Sequence, residues 1–159
     1  MLIGVPKEIR NHEYRVGMTP AGVYELIRHG HQILVETDAG LAIGYGDEDY
    51  IKAGALIAKS SQDVFTKADM IVKVSGPQSE EYKLLRPGQL LFAFLHLAAD
   101  PDLARELLDS DCVAIAYETV TNENGRLPLL APMSEVAGRL AVQAGAHALE
   151  YHRGGCGVL

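Results

Sequence analysis

The sequence contains only two cysteines, and this scarcity excludes several kinds of protein. Cys112 lies in an apolar run and Cys156 in a glycine-rich tail, so we predict neither a disulfide framework nor a metal site. No apolar run approaches the ~20 residues that are needed to cross a bilayer. The N-terminal sequence MLIGVPKEIR lacks the basic and long apolar segments of a signal peptide. We therefore expect a cytoplasmic protein with no membrane partner.

Positive charge is also in short supply. The chain has 14 lysines and arginines against 21 aspartates and glutamates, which gives a net charge of −7. This balance argues against nucleic acid or an anionic membrane as the main partner. The hydrophobic fraction of 48% and charged fraction of 22% are those of a globular protein, and 159 residues suffice for a buried core.

A third absence is the G-x-G-x-x-G motif of dinucleotide-binding folds. The segment AGLAIGYGDEDY contains Gly40, Gly44 and Gly46, but these glycines lack the required spacing between a strand and a helix. The glycine-rich segment GGCGVL is likewise followed by no strand–helix unit. We interpret both segments as loops and predict no nucleotide-phosphate loop in this chain.

The feature that dominates the chain is an alternation of short apolar runs with helical patterns. Parallel strands joined by right-handed helical crossovers produce this rhythm, so we predict an α/β fold with three layers: an open, mostly parallel sheet with flanking helices. The predicted strands are Leu2–Val5, Gln32–Glu36, Ala55–Ala58, Met70–Val74, Leu90–Leu95 and Cys112–Ala116.

Capping residues mark the helices between these strands. Thr19 can cap a first helix with Pro20 at its first position, and Gly30 can end it. Further helices are predicted to begin at Asp47, at Ser60 or Ser61, at Ser79 and at Pro101.

The pattern changes at Pro132, where one long helical run begins. The run is rich in alanine and glycine and leads directly into RGGCGVL. We therefore divide the chain into a domain over 1–131 and a linker or oligomerisation helix with a glycine-rich tail over 132–159. A long helix that leads into a glycine segment usually connects to another domain.

Several reactive side chains are predicted at the carboxyl ends of the strands, where open α/β sheets bind their ligands. His96 follows the fifth strand, Lys73 lies near the end of the fourth, and Tyr117 and Glu118 follow the sixth. Arg15 lies in the loop after the first strand. An arginine can bind a carboxylate through two hydrogen bonds, and a histidine can exchange a proton near neutral pH. These residue types would suit a small anionic substrate, although a structural histidine and a solvated arginine are the commoner alternatives.

Four stretches of the chain together form a recognisable pattern: IGVPKEIRNHEYRVGMTPAGVYELIRHGH, LLFAFLHLAADPDLARELL, AIAYETV and LPLLAPMSEVAGRLAVQAGAHALE. They resemble the N-terminal part of the NAD-dependent alanine dehydrogenases, which share a superfamily with the proton-translocating nicotinamide nucleotide transhydrogenases. The histidine in FLHLA favours the dehydrogenase branch, since the transhydrogenase subunits lack it.

The resemblance implies roles for five residues of this chain. Arg15 corresponds to the arginine that binds the substrate carboxylate, and His96 to the catalytic histidine that hydrogen-bonds the oxo group of pyruvate and assists proton transfer. Phe94 and Met133 correspond to side chains that line the pocket, and Ser134 to a position near the nicotinamide cofactor. The implied reaction converts L-alanine, NAD and water into pyruvate, ammonium and NADH.

The sequence departs from the family pattern at a catalytic position. The family lysine is the second lysine of a KVKEP-like motif, but this chain reads KVSGP, so Ser75 and Gly76 replace Lys and Glu. Lys73 remains, and we expect it on the same strand face as Ser75 because residues two apart point the same way. We assign both as substrate-binding positions. Cys156 also replaces the arginine of a GGRGVL segment.

In the resembling enzymes a Rossmann domain that binds NAD follows the glycine segment and supplies a catalytic aspartate, and these 159 residues include no such domain. We therefore expect no tight NAD binding and no turnover by this chain alone. Three hypotheses stay open. The first is the substrate-binding part of an alanine dehydrogenase-like oxidoreductase, and the second is a stand-alone module that binds 2-oxo acids or oligomerises without catalysis. The third, less favoured, is a fragment of a transhydrogenase-type or lysine-pathway relative.

The long helix also suggests a homo-oligomer. Val136, Leu140, Ala144 and Ala148 form one stripe at four-residue spacing, and such an apolar face requires cover. We expect a two-fold dimer of these helices; the alternative is that the helix covers the chain's own sheet.

Overall fold

The alternating pattern folds into a six-stranded sheet in a computed structural model that describes residues 1–157. Every neighbouring pair of strands is parallel, and the order across the sheet is β3-β2-β1-β4-β5-β6. The predicted strands are confirmed to within one residue at each end. The strands are β1 Leu2–Val5, β2 Gln32–Glu36, β3 Leu56–Ala58, β4 Met70–Ser75, β5 Leu90–Phe94 and β6 Val113–Ala116.

Several of the helices begin after a residue whose side chain caps them. The Thr19 hydroxyl accepts a hydrogen bond from the Gly22 amide, and Ser60, rather than Ser61, accepts one from the Asp63 amide. The α-helices are α1 Pro20–Arg28, α2 Asp47–Lys52, α3 Ser61–Lys67, α4 Ser79–Tyr82, α5 Pro101–Asp109 and α6 Ala131–Leu149. Within residues 1–157, no helix has the length and apolar character needed to cross a membrane.

Two clusters of buried apolar side chains, one on each face of the sheet, hold the helices in place. One cluster includes Val23 of α1 and Tyr50 of α2, and the other includes Phe65 of α3 and Leu103 of α5. A parallel sheet is stable when both of its faces are covered in this way. This arrangement confirms the predicted three-layer α/β architecture.

The chain divides into two compact units, Met1–Tyr117 and Glu118–Leu159. The first contains the whole sheet, and the second, as far as it is described, contains α6 and a short 3₁₀ turn over Tyr151–Arg153. The boundary that the sequence suggested, between residues 131 and 132, falls inside the second unit and stays a prediction. In the first unit, β1 lies between β2 and β4, so the chain changes direction across the sheet at this point. Ligands of open α/β sheets bind at the carboxyl edge beside such a switch point.

Candidate functional site

The carboxyl ends of β4 and β5 lie side by side and carry two of the predicted site residues. Ser75 is the last residue of β4 and pairs in register with Phe94, the last residue of β5. The register shifts between Val72 and Ser75, which marks a β-bulge in β4. Bulges redirect side chains at the ends of strands, so the bulge decides what each residue of this segment contacts.

The first cluster at this edge joins Arg15 to a neighbouring carboxylate. Arg15 donates through Nε to Glu13 Oε1 at 2.8 Å and through Nη2 to Glu13 Oε2 at 2.7 Å. The Arg15 amide donates to the same Oε1 at 3.1 Å, and the Ser75 hydroxyl donates to Oε2 at 3.2 Å. These hydrogen bonds, with those from the Arg15 side chain foremost, lower the pKa of Glu13 to about 2. Glu13 is therefore a carboxylate at every physiological pH, and we name Glu13, Arg15 and Ser75 the arginine cluster.

The second cluster surrounds Lys73, whose side chain has no exposed surface. Its ammonium lies 2.9 Å from Glu81 Oε1 and 3.3 Å from Glu8 Oε2. Glu8 also accepts a hydrogen bond from the Val74 amide at 2.7 Å, and Glu81 accepts one from the Gln78 amide at 2.8 Å. Burial raises the pKa of Glu8, and Lys73 opposes the rise. We name Lys73, Glu8 and Glu81 the lysine cluster.

Lys73 and Ser75 contact different carboxylates, and the expectation that both face one cavity stays a prediction. Lys73 contacts Glu8 and Glu81 in the protein interior, whereas Ser75 contacts Glu13. The bulge adds a residue to this part of β4 and so interrupts the two-residue alternation on which the expectation depended. The structure therefore places Lys73 in a buried ion pair, and its role as a substrate-binding residue stays a prediction that this geometry does not favour.

His96 follows β5 as predicted and adopts an uncommon backbone conformation. Its φ of +49° lies in the left-handed region, which is sparsely populated by residues other than glycine, asparagine and aspartate. The ring of His96 stacks on that of Phe94 with a centroid distance of 6.0 Å and an interplanar angle of 11°. Phe94 in turn contacts the ring of Tyr117 edge to face at 4.9 Å, and burial raises the pKa of Tyr117. The aromatic contacts fix Phe94 beside His96.

Arg15 and His96 line two clefts. The arginine cleft, about 200 Å³ in volume, is lined by Glu13 and Arg15, with Lys7, Glu8 and Asp38 among its other charged walls. The histidine cleft, about 420 Å³, lies at the ends of β4 and β5. Arg10, Gln78 and His96 are among its polar walls, and Phe94 is among its apolar ones. Ser75 contacts a residue of each cleft: its hydroxyl donates to Glu13 of the arginine cleft, and it pairs in the sheet with Phe94 of the histidine cleft. The predicted closeness of Arg15 to His96 stays a prediction.

Met133 and Ser134 belong to the second unit, where they lie in the first turn of α6. Met133 is 40% exposed, and the Ser134 amide donates to the Leu130 carbonyl at 3.0 Å. Their implied contacts with substrate and cofactor stay predictions. Across residues 1–157, no three histidine, cysteine, aspartate or glutamate side chains are grouped to hold a metal ion.

Sequence reasoning missed the carboxylates of both clusters. Glu13 precedes Arg15 by two residues, and a carboxylate so close to an arginine proposed to bind a substrate is a signal that could have been read. Glu8 lies in the same loop, but nothing in the sequence connects it to Lys73, which is distant along the chain. Only the fold brings Glu8 and Lys73 together.

Comparison with known proteins agrees with this architecture. A profile of the family described as alanine dehydrogenase/PNT, N-terminal domain, matches residues 4–137. The chain is 53% identical over all of its 159 residues to an alanine dehydrogenase of Halomonas elongata, and it spans 43% of that relative's length. A solved L-alanine dehydrogenase aligns with the whole chain at 50% identity and a TM-score of 0.89, with 44% of that structure covered.

A transhydrogenase from Sinorhizobium meliloti is also similar in structure, with 26% identity over 77% of this chain and a TM-score of 0.72. The chain covers 36% of that structure. The higher identity and coverage with the alanine dehydrogenase agree with the histidine in FLHLA that favoured the dehydrogenase branch. Because the profile covers more than half of the sequence, the chain belongs to the alanine dehydrogenase/PNT N-terminal domain family, and it spans less than half the length of the alanine dehydrogenases that it matches.

Proposed function

We propose that this chain provides the substrate-binding part of an enzyme that interconverts L-alanine and pyruvate with NAD, water and ammonium. The observation that carries the proposal is the match along the whole chain to alanine dehydrogenases. Arg15 and His96 stand at the positions to which the resemblance assigns substrate binding and proton transfer. The position of His96 supports it, since His96 lies two residues after the end of β5, at the carboxyl edge of the sheet, where such folds bind ligands.

In this proposal each residue acts through ordinary hydrogen-bond chemistry. Arg15, whose side chain is 49% exposed, binds the carboxylate of the substrate. His96 donates a hydrogen bond to the oxo group of pyruvate and takes or returns a proton there. Phe94 stacks on the imidazole and holds the orientation of His96. Ser75 supplies no positive charge, so it polarises an oxo group less strongly than a lysine at position 75 would.

The first crossover of this sheet does not fit the pyrophosphate of NAD. In a dinucleotide fold a short glycine-rich turn leads from the first strand directly to a helix N-terminus. Here residues 6–19 separate β1 from α1, and Glu8 and Glu13 lie in that connection. Carboxylates would repel the anionic pyrophosphate, so we derive no catalytic step through NAD and place its binding elsewhere in the family enzyme.

Titration of the chain with pyruvate tests the proposed function. We expect saturable chemical-shift changes at residues of β5 and the loop after β1, with weak affinity because one charge-assisted contact contributes only a few kcal/mol. Arg15→Gln should abolish binding and His96→Asn should weaken it, whereas Arg105→Gln, at an exposed arginine of α5, should change nothing. Ser75→Lys should tighten binding. Loss of binding in the Arg105 variant, or its persistence without Arg15, would count against the assignment.

A second candidate is a binding module without catalysis, and the contact between Ser75 and Glu13 favours it. Where the family has a lysine, this chain has a neutral hydroxyl bonded to a carboxylate. We expect the chain alone to produce no NADH from alanine and NAD, because hydride transfer requires a cofactor held against the substrate carbon. Saturable NADH production, followed by absorbance, would instead assign the full reaction to this chain.

We further propose that the chain forms a homodimer through α6. Val136 is 55% and Leu140 54% exposed, although both lie on the apolar stripe of that helix. A second copy could cover this stripe by two-fold symmetry. Light scattering at micromolar concentration should give twice 17.2 kDa, and Leu140→Glu should return the mass to that of one chain. A mass of 17.2 kDa that does not change on concentration would disprove the dimer.

A further inference from the structure

The charge of the arginine cleft is unsuited to an anion. Its walls carry two cations, Lys7 and Arg15, and three carboxylates, Glu8, Glu13 and Asp38. With all five groups ionised the cleft has a net charge of −1. A substrate carboxylate that approaches Arg15 therefore approaches a negative region of the surface.

The lysine cluster does not reverse this balance. Lys73 lies behind the cleft with no exposed surface, and its ammonium is shared between Glu8 and Glu81. That cluster also holds one cation and two carboxylates. A second cation beside Glu13, in addition to Arg15, would have to come from another position, and Ser75, at 3.2 Å from Glu13 Oε2, is the neighbour that lacks charge.

Glu13 contacts Arg15 in the geometry that a substrate carboxylate would use. Its two oxygens accept parallel hydrogen bonds from Nε and Nη2 at 2.8 and 2.7 Å, a bidentate pair. The side chain of Glu13 is 9% exposed, so water screens this contact only partly. The Nε–Nη2 edge of Arg15 is thus occupied by a carboxylate of the chain itself.

We propose that Glu13 is the residue that sets the anion affinity of this site, acting as an internal carboxylate that neutralises Arg15 because Ser75 provides no competing cation. This inference rests on the proposed function and deepens it. A cation at position 75 would share Glu13 and leave the cluster with a net positive charge, whereas Ser75 leaves it neutral. In this chain Glu13 is a positioning residue that acts through Arg15 and disfavours anions.

Two substitutions that change the cluster by the same unit of charge test the proposal. Glu13→Gln removes a negative charge and Ser75→Lys adds a positive one, so both raise the net charge of the cluster by one. We expect each to tighten pyruvate binding about tenfold at pH 7 and low salt, as one added charge near a bound anion does. Glu13→Asp, which keeps the charge, should bind as weakly as the unmodified chain.

Matched controls separate a local effect from a general one. Glu106→Gln makes the same change of charge at an exposed position of α5 and should leave the affinity unaltered. Adding Arg15→Gln to Glu13→Gln should abolish the gain, because the gain acts through the guanidinium. Raising the salt concentration should reduce the gain, since screening weakens exposed charge interactions. Glu13→Ala provides a second neutral variant should the glutamine variant fold poorly.

The outcomes distinguish this inference from the function beneath it. If Ser75→Lys tightens pyruvate binding and the neutral Glu13 variants do not, Glu13 has no such role while the substrate site stands. If the neutral variants bind more weakly than the unmodified chain, Glu13 assists binding and the inference is overturned. If no variant binds pyruvate, Ser75→Lys included, the proposed function itself fails.

Discussion

Two clusters lie near the end of β4, and each pairs a cation with carboxylates. They differ chiefly in their access to water. In the lysine cluster the three side chains are between 0 and 3% exposed, whereas Arg15 of the arginine cluster is 49% exposed. Both clusters join β4 to the loop that follows β1, and the lysine cluster adds Glu81 of α4, yet one is sealed and the other borders a cleft. Burial, more than residue type, separates a cation that holds the fold together from one that can meet a ligand.

The pKa values of two glutamates in one loop are shifted in opposite directions in the two clusters. Four hydrogen bonds hold Glu13 ionised and lower its pKa, whereas burial dominates at Glu8 and raises its pKa. The lysine cluster also has one more carboxylate than it has cations, so Glu8 and Glu81 share a single ammonium. The two glutamates should therefore affect stability in opposite directions as the pH changes.

The largest effect is expected from breaking the lysine cluster. Lys73→Met should leave Glu8 and Glu81 buried without their cation and lower the free energy of unfolding by about 3–5 kcal/mol. Urea unfolding monitored by circular dichroism measures the loss. Lys67→Met is the matched control, since Lys67 makes an exposed ion pair with Asp63 at 3.1 Å and should cost less than about 0.5 kcal/mol. Similar losses in the two variants would remove the distinction between sealed and open clusters.

A smaller change in the free energy of unfolding is expected when Glu13 is replaced, and the lowered pKa of Glu13 determines how this change depends on pH. Because the folded pKa of about 2 lies below the ordinary value of 4.5, Glu13 stabilises the fold above pH 4.5, and this contribution is lost as the pH falls toward 2. Glu13→Gln should therefore lower the free energy of unfolding at pH 7 by on the order of 1–3 kcal/mol. The difference from the unmodified chain should vanish near pH 2. A constant difference across this range would show that packing, not ionisation, is responsible.

The architecture could be predicted because it follows from local patterns. Strand β1 and the cap at Thr19 are read from neighbouring residues, and the position of His96 follows from the end of β5. The contacts of Lys73 could not be predicted, because the bulge in β4 and the approach of Glu8 depend on pairing between distant segments. The family resemblance pointed to Arg15 but not to its bidentate hydrogen bonds with Glu13, which depend on the side-chain geometry.

The smallest expected effect is the change in stability when Glu8 is replaced. Its pKa is raised above 4.5 by burial, so the folded state retains the proton longer than the unfolded state, and Glu8 lowers stability progressively as the pH rises above 4.5. Lys73, Glu81 and Arg15 are among the charged groups near it, and Lys73 limits the rise. The stability of Glu8→Gln relative to the unmodified chain, measured by urea unfolding, should therefore increase as the pH rises from about 4 to about 8.

This trend is opposite in origin to that of Glu13, whose effect develops below pH 4.5. Glu106→Gln, at an exposed residue, provides the control and should show no trend between about pH 4 and pH 8. A relative stability of Glu8→Gln that falls as the pH rises would mean that the ion pair with Lys73 outweighs the cost of burial. The lysine cluster would then resemble the arginine cluster, in which hydrogen bonds to the charged carboxylate prevail, and the proposed contrast between the clusters would fail.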